Sequence, residues 1–181
     1  MSNKIISPAE YKVGTVQHRA IMKNEPEAQC TLGWCYHEGI GVEVDLKQAV
    51  IWFRKSAEQG LATAQIGLGC CYYYGDGVEQ SYIEAAKWFR KAAEQDWTSA
   101  QYRLGICYEK GEGVEKNYEE AVNLYRKAAE KNWNTAQHRL GLCYYNGSGV
   151  ELNKEEGLKW IRESAESGYK YAIEFLNKIS A

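Results

Sequence analysis

Small and apolar residues recur along this chain at i, i+4, i+7 and i+8, and the whole set returns every 36 residues. Ala28, Leu32, Cys35 and Tyr36 form the first set; Ala64, Leu68, Cys71, Tyr72, then Ala100, Leu104, Cys107, Tyr108, then Ala136, Leu140, Cys143, Tyr144 follow in register. That spacing places each set on one side of a helix. Gly33, Gly69, Gly105 and Gly141 fall in mid-helix, where glycine costs about 1 kcal/mol against alanine, and close approach of a partner helix is the simplest compensation. Each helix is predicted to end at Gly39, Gly75, Gly111 or Gly147, the residue type favoured just past a helix C-terminus. A second glycine and a valine complete a G-x-G-V turn.

A second helix then opens on a capping box, Asp45 with Gln48, Ser81 with Glu84, Asn117 with Glu120, and Asn153 with Glu156. Its apolar side carries Ala49, Trp52, Phe53, Ala57; Ala85, Trp88, Phe89, Ala93; Ala121, Leu124, Tyr125, Ala129; and Gly157, Trp160, Ile161, Ala165. Small residues flanking a large pair suit interlocking helices. Arg54 to Glu58, Arg90 to Glu94, Arg126 to Glu130 and Arg162 to Glu166 have the spacing of surface ion pairs, worth about 0.3 kcal/mol each. The second helix is predicted to stop at Gly60, Asp96, Asn132 and Gly168, residue types that tolerate positive φ, with apolar Leu61, Trp97, Trp133 and Tyr169 next.

Repeated helix pairs of this period predict an all-α solenoid. The four units cover residues 25–60, 61–96, 97–132 and 133–168. Flanking segments 1–24 and 169–181 read as capping helices. Ser7, Pro8 and Glu10 start the first of them, Asn24 with Glu27 caps the first repeat helix, and Tyr171, Phe175 and Ile179 give the last helix its apolar face.

Composition narrows the chemistry. The formal net charge of the 181-residue chain is -2, which disfavours nucleic acid and anionic membrane as partners. The N-terminal stretch has no signal-peptide apolar core, and no run is apolar and long enough to span a bilayer, so a soluble cytoplasmic protein is expected. Six cysteines are present, four of them (Cys35, Cys71, Cys107, Cys143) at one repeat position. Stacked equivalent helices lie about 8–10 Å apart, too far for a disulfide, so the thiols are expected to be free and mostly buried. No pair of Cys or His motifs has zinc-ligand spacing, and no cofactor is expected.

The pattern A-x-x-x-L-G-x-x-Y-x-x-G-x-G-V, followed about ten residues later by A-x-x-W-[FY]-x-K-A-A-E-x-G, resembles the Sel-1-like repeat, a relative of the tetratricopeptide repeat. The resemblance covers about residues 25 to 168, with Leu124, Gly157, Glu163, Asp96 and Asn132 as departures. It implies a right-handed α/α superhelix whose first helices line the concave side, and a non-catalytic scaffold that binds a protein or peptide. The family's cysteine-rich branch has two cysteines per repeat, closing a disulfide in each helix pair; this chain has one per repeat at the register position, so that oxidised character is not implied.

On the first helices, the side away from the core stripe stays aromatic and aliphatic where a surface helix normally turns polar. The candidate partner-binding residues there are Trp34, His37, Ile66, Tyr73, Tyr74, Tyr102, Ile106, His138, Leu142 and Tyr145. For Trp34, Ile66, Ile106 and Leu142, packing between neighbouring first helices explains the residue type as well as partner binding does. Tyr73, Tyr74, Tyr102, His138 and Tyr145 carry polar tips that call for water or a partner. A bacterial immunity protein or a secreted effector would use the same groove. A monomer is expected, with self-association open if a groove accepts another copy's end helix.

An enzyme reading finds little. His18, His37 and His138 each stand alone in their local sequence. Ser167 and Lys170 match S-x-x-K, a serine hydrolase motif that raises a β-lactamase-like alternative, but neither S-D-N nor K-T-G accompanies it. The G-x-G turns close a helix with no strand before them, the wrong context for a phosphate cradle.

Overall fold

The structure, a computed structural model, describes residues 13–180. The described residues form ten helices and no strand: α1 (Val13–Met22), α2 (Pro26–Glu38), α3 (Leu46–Glu58), α4 (Ala62–Tyr74), α5 (Tyr82–Glu94), α6 (Thr98–Lys110), α7 (Tyr118–Ala129), α8 (Asn134–Asn146), α9 (Lys154–Glu166) and α10 (Lys170–Ser180). The start signals at Ser7, Pro8 and Glu10 lie outside the described residues. The chain divides into two compact units, Met1–Lys91 and Ala92–Ala181.

In the first unit α2 packs on α1 and α3, and α3 on α4. Phe53 of α3 is fully buried with Ala49, Ala57, Leu68 and Cys71 around it, and a neighbouring cluster joins Val16 and Ala20 of α1 to Leu32, Cys35 and Trp52. In the second unit α7 packs on α6 and α8, and α9 on α8 and α10. Its core gathers Tyr125, Val122, Ala128 and Leu140.

The mid-helix glycines are contact points. A Cβ on Gly33 would lie 2.6 Å from the Phe53 ring, and one on Gly69 2.6 Å from the Phe89 ring. In the second unit the same overlap arises between Gly105 and Tyr125, and between Gly141 and Ile161. The backbone of each first helix thus lies directly on the large residue of its own second helix, and the dispersion contact offsets the poor helix propensity.

The second helices start as expected at one end of the capping box only. Backbone N–H groups of Gln48, Glu84, Glu120 and Glu156 donate to the side chains of Asp45, Ser81, Asn117 and Asn153 at 3.0–3.3 Å. The reciprocal half is replaced, because the N–H of each capping residue donates at 2.9 Å to the carbonyl of Tyr36, Tyr72, Tyr108 or Tyr144. The cap therefore also ties the second helix to the end of the first.

All four second helices end in a paired 6→1 and 5→2 hydrogen-bond motif, with Leu61, Trp97, Trp133 and Tyr169 donating to the carbonyls of Ser56, Ala92, Ala128 and Ser164. The left-handed residues at these ends include Asp96 (φ 63°) and Asn132 (φ 59°). Asn24 has φ 53° and occupies the same repeat position. It closes α1 and does not cap α2, whose N-cap is Glu25 without a side-chain bond. The α1 helix thus ends as the second helices do.

Three further expectations are corrected. Arg54 and Arg126 donate to the hydroxyls of Tyr72 and Tyr144, at 2.6 and 2.9 Å, in place of the carboxylates four residues on. Each joins a second helix to the first helix of the following repeat, a tertiary bond where a surface pair was expected. In α10 the buried side is Ala172 with half-buried Phe175 and Leu176, while Tyr171 and Ile179 are exposed. Among the second-helix side chains, Ala93, Leu124, Trp160 and Ala165 are only half-buried, and the column one step earlier (Ser56, Ala92, Ala128, Ser164) is fully buried.

Candidate partner-binding face

The large rings of α3, α5 and α7 reach past the glycine they touch to the next residues of the first-helix face. Phe53 lies between Gly33 of α2 and Gly67 of α4, where added Cβ atoms would meet its ring at 2.6 and 3.1 Å. Its far edge meets Trp34 edge-on at 4.9 Å between ring centroids, with His37 at 6.5 Å. Phe89 reaches Tyr73 at 6.4 Å in the same way, and in the second unit Tyr125 reaches Tyr102 at 5.9 Å. Core side chains therefore form the floor of the face that the first helices present.

In the first unit that face carries Trp34 and His37 on α2 and Ile66, Tyr73 and Tyr74 on α4. Trp34 is 38% exposed and Tyr74 60%, while His37, Ile66 and Tyr73 are half-buried. Tyr73 is held by edge-on rings of Tyr74 (5.0 Å) and Tyr82 (5.1 Å). His37 lies between two carboxylates, its Nδ1 2.6 Å from Glu38 and its Nε2 3.8 Å from Asp76.

In the second unit Tyr102 and Ile106 on α6 and Leu142 and Tyr145 on α8 are half-buried. The Tyr125 hydroxyl, absent from its counterparts Phe53, Phe89 and Ile161, donates to Glu109, and Arg139 donates to the same carboxylate at 3.1 Å. Burial, then the Glu109 charge, pushes the Tyr125 phenol far above its ordinary range, which keeps it a donor. For Arg139, burial works against the charged form, but Glu109 followed by Tyr125 outweighs it, and the net shift is upward. One repeat later the same slot is filled by rings, with Phe175 in the Arg139 position and Tyr145 in the Glu109 position, 5.3 Å apart. The pattern of first-helix residues hid this ion-pair network because its organising group, Tyr125, belongs to the second helix.

His138 departs from the expectation of a partner-facing residue. It is only 8% exposed, packed edge-on against Tyr169 at 5.4 Å and Phe175 at 6.4 Å, and its Nδ1 has no hydrogen-bond partner. Burial, then the nearby Arg139 charge, lowers its pKa below the ordinary 6.5. The unfolded chain therefore binds this proton more readily, so the stability associated with neutral His138 is complete above about pH 6.5 and is lost as pH falls toward the folded-state value. Thermal melting followed between about pH 7.5 and 5.5 is expected to show a decline that is smaller in His138→Leu; equal slopes would refute the assignment.

A second buried column escaped the sequence reading altogether. Gln29, Gln65, Gln101 and Gln137, at most 4% exposed, directly follow Ala28, Ala64, Ala100 and Ala136. Gln29 and Gln101 donate to the side chains of Asn24 and Asp96 at 2.7 and 2.8 Å, so they brace the left-handed turn before each first helix. The A-Q dipeptide in all four copies was the available signal.

The reactive groups are placed for structure. None of the six cysteines is in a disulfide, and burial raises the thiols of Cys30 and Cys35 and pushes Cys71 and Cys143 up to about 12, which leaves these four protonated at neutral pH. Ser167 ends α9 with its hydroxyl donating to the Glu163 carbonyl at 3.1 Å, and Lys170 pairs with Glu174 at 3.5 Å. Neither is turned toward the other's chemistry. Among the described residues no group of three His, Cys, Asp or Glu side chains could hold a metal ion, and no helix is long and apolar enough to cross a membrane.

Helix pairs closed by the same turns every 36 residues, with each first helix seated by its mid-helix glycine on the large residue of its own second helix, define a helical-repeat protein of the solenoid class. The chain belongs to the Sel1 repeat family, whose repeat is matched by residues 26–61, 62–97, 98–133 and 134–169. It is similar to a protective antigen of uropathogenic Escherichia coli strains with an SLR fold, at 40% identity and a TM-score of 0.81, over 85% of this chain and 33% of that one. A Sel1 repeat protein from Oxalobacter formigenes is 38% identical with a TM-score of 0.83, over 92% of this chain and 69% of the other. Cysteine rich protein B of Helicobacter pylori is 25% identical with a TM-score of 0.57, over 73% of this chain and 95% of its own. This chain therefore spans a third of the E. coli protein and about two thirds of the Oxalobacter one. No curated protein matches it. Sel1 repeat proteins generally serve as protein-interaction scaffolds.

Proposed function

We propose that this protein is a non-catalytic scaffold that binds a peptide or protein segment on the aromatic face of its first helices. The observation that carries the reading is the exposure of Trp34 and Tyr74 on that face, Trp34 against the buried Phe53 ring and Tyr74 against the half-buried Tyr73 ring. Large aromatic side chains that remain accessible while backed by rigid packing are what interaction hot spots are made of, since little side-chain entropy is left to lose on binding. The buried thiols and the engaged Ser167 and Lys170 support a role without catalysis.

Affinity capture from the native lysate tests the reading. Full-length protein and an Ile51→Ala control, altered at an exposed position of α3, are expected to retain the same partner. Trp34→Ala combined with Tyr74→Ala is expected to lose it by about tenfold or more, as truncated hot spots do. Equal recovery by all three, with melting temperatures preserved, would overturn the proposal.

A further inference from the structure

We infer that the first unit's face takes a basic segment, one that places an arginine or lysine side chain between Glu38 and Asp76 with its aliphatic stem against Trp34 and Tyr74. This deepens the proposed function and rests on it. The Glu38 and Asp76 carboxylates come from different elements, the end of α2 and the turn after α4, and converge on opposite nitrogens of His37 at 2.6 and 3.8 Å. An imidazole carries at most one positive charge, so His37 alone does not balance two carboxylates. Both remain accessible, at 54% and 38% side-chain exposure.

The surrounding chain adds to the imbalance. Residues 37–47 and 73–84 contain Glu38, Glu43, Asp45, Asp76, Glu79 and Glu84 against Lys47 alone; just beyond them Lys87 pairs with Glu84 at 2.6 Å, which still leaves carboxylates in excess. Lys47 is the second residue of α3, next to the Gly77 turn, where its backbone nitrogen lies 2.8 Å from a Cβ built on Gly77. The adjoining aromatics are accessible, with Tyr82 at 36% beside Trp34 and Tyr74. Indole and phenol faces attract cations and also cover the methylene stem of a long basic side chain. Carboxylates that outnumber cations beside exposed rings select for a positively charged occupant and against an acidic one.

The test is selection of a random 12-residue peptide phage library on the full-length protein, followed by fluorescence anisotropy with the selected peptides. The expected result is enrichment of arginine and lysine, binding that weakens with added salt, and a loss of about tenfold or more in Glu38→Gln combined with Asp76→Asn. Enriched peptides that are neutral or acidic, yet depend on Trp34 and Tyr74, would overturn the basic-segment inference and leave the face intact. Peptides insensitive to Trp34→Ala, Tyr74→Ala and the carboxylate pair, or no enrichment at all, would overturn both. The exposed positions leave the fold in place, which unchanged melting of each variant verifies.

Discussion

Gly77→Ala is expected to destabilise the first unit by about 3–5 kcal/mol, against about 1–2 kcal/mol for Gly60→Ala. Both glycines have positive φ, 72° and 95°, so each alanine pays the left-handed backbone penalty. The difference lies in space. A Cβ at Gly60 meets nothing within 4 Å, whereas at Gly77 it would overlap the Leu46 carbonyl and sit 2.8 Å from the Lys47 nitrogen. Those atoms belong to the first turn of α3, and backbone cannot rotate aside as a side chain can. Gly149, the second glycine of its own G-x-G-V turn, overlaps the Tyr118 backbone in the second unit in the same way, so these two turn glycines share the role. Denaturant unfolding of the two variants measures the contrast, and equal losses would show that the turn does not bear on α3.

Phe53→Ala is the second large effect, at about 3–5 kcal/mol. Its ring is fully buried and is enclosed by glycine backbone from both α2 and α4, so truncation leaves a cavity that two helices would have to collapse to fill. Collapse is opposed by the end-capping bonds that fix α3 to α2 through Asp45 and Tyr36. Phe53→Leu keeps most of the volume and is expected to lose about half as much. Chemical unfolding that found Phe53→Ala within about 1 kcal/mol of the parent would contradict the shared-ring packing.

Much of this architecture is legible in the sequence because it is local. Helix ends at Gly39 and Asp96, starts at Asp45 and Asn117, and the mid-helix glycines are each specified within a few residues of themselves. Most of what escaped the sequence depends on groups 9 to 37 residues away. Gln48 and its counterparts complete a capping-box pattern, but a Tyr carbonyl from the preceding helix already holds the N–H they would take. Arg54 has a glutamate four residues on, yet the Tyr72 hydroxyl is nearer to its guanidinium. Asn24 fits two roles in isolation, and its equivalence to Asp96 and Asn132 decides between them. On the candidate face, Trp34 and Tyr74 were visible as aromatics out of place on a surface helix. The burial of His138 was not, since it requires Tyr169 and Phe175 to fold over it. Nor was the Glu109 to Arg139 pair, whose members stand in different repeats and are joined by the hydroxyl of a core residue.

Variation among the copies follows the same division. Positions that form turns and glycine contacts barely change, whereas the slot at positions 37, 73, 109 and 145 holds His, Tyr, Glu and Tyr. A repeat scaffold of this kind fixes its backbone through the constant positions and offers partners the variable ones. Residue choice at the slot is coupled to what packs beside it: Glu109 with Arg139, Tyr145 with Phe175, and His37 with Asp76.

Site-specific photo-crosslinking addresses the scaffold reading most directly. A benzophenone amino acid placed at Tyr74 on α4, or at Ile51 on α3, is irradiated in the cells that make the protein. Both positions are exposed, so accessibility alone does not distinguish them. The account expects a discrete polypeptide adduct at Tyr74 that is absent at Ile51 and is suppressed by Trp34→Ala. An adduct at Ile51 alone, or no adduct at either position, would contradict it.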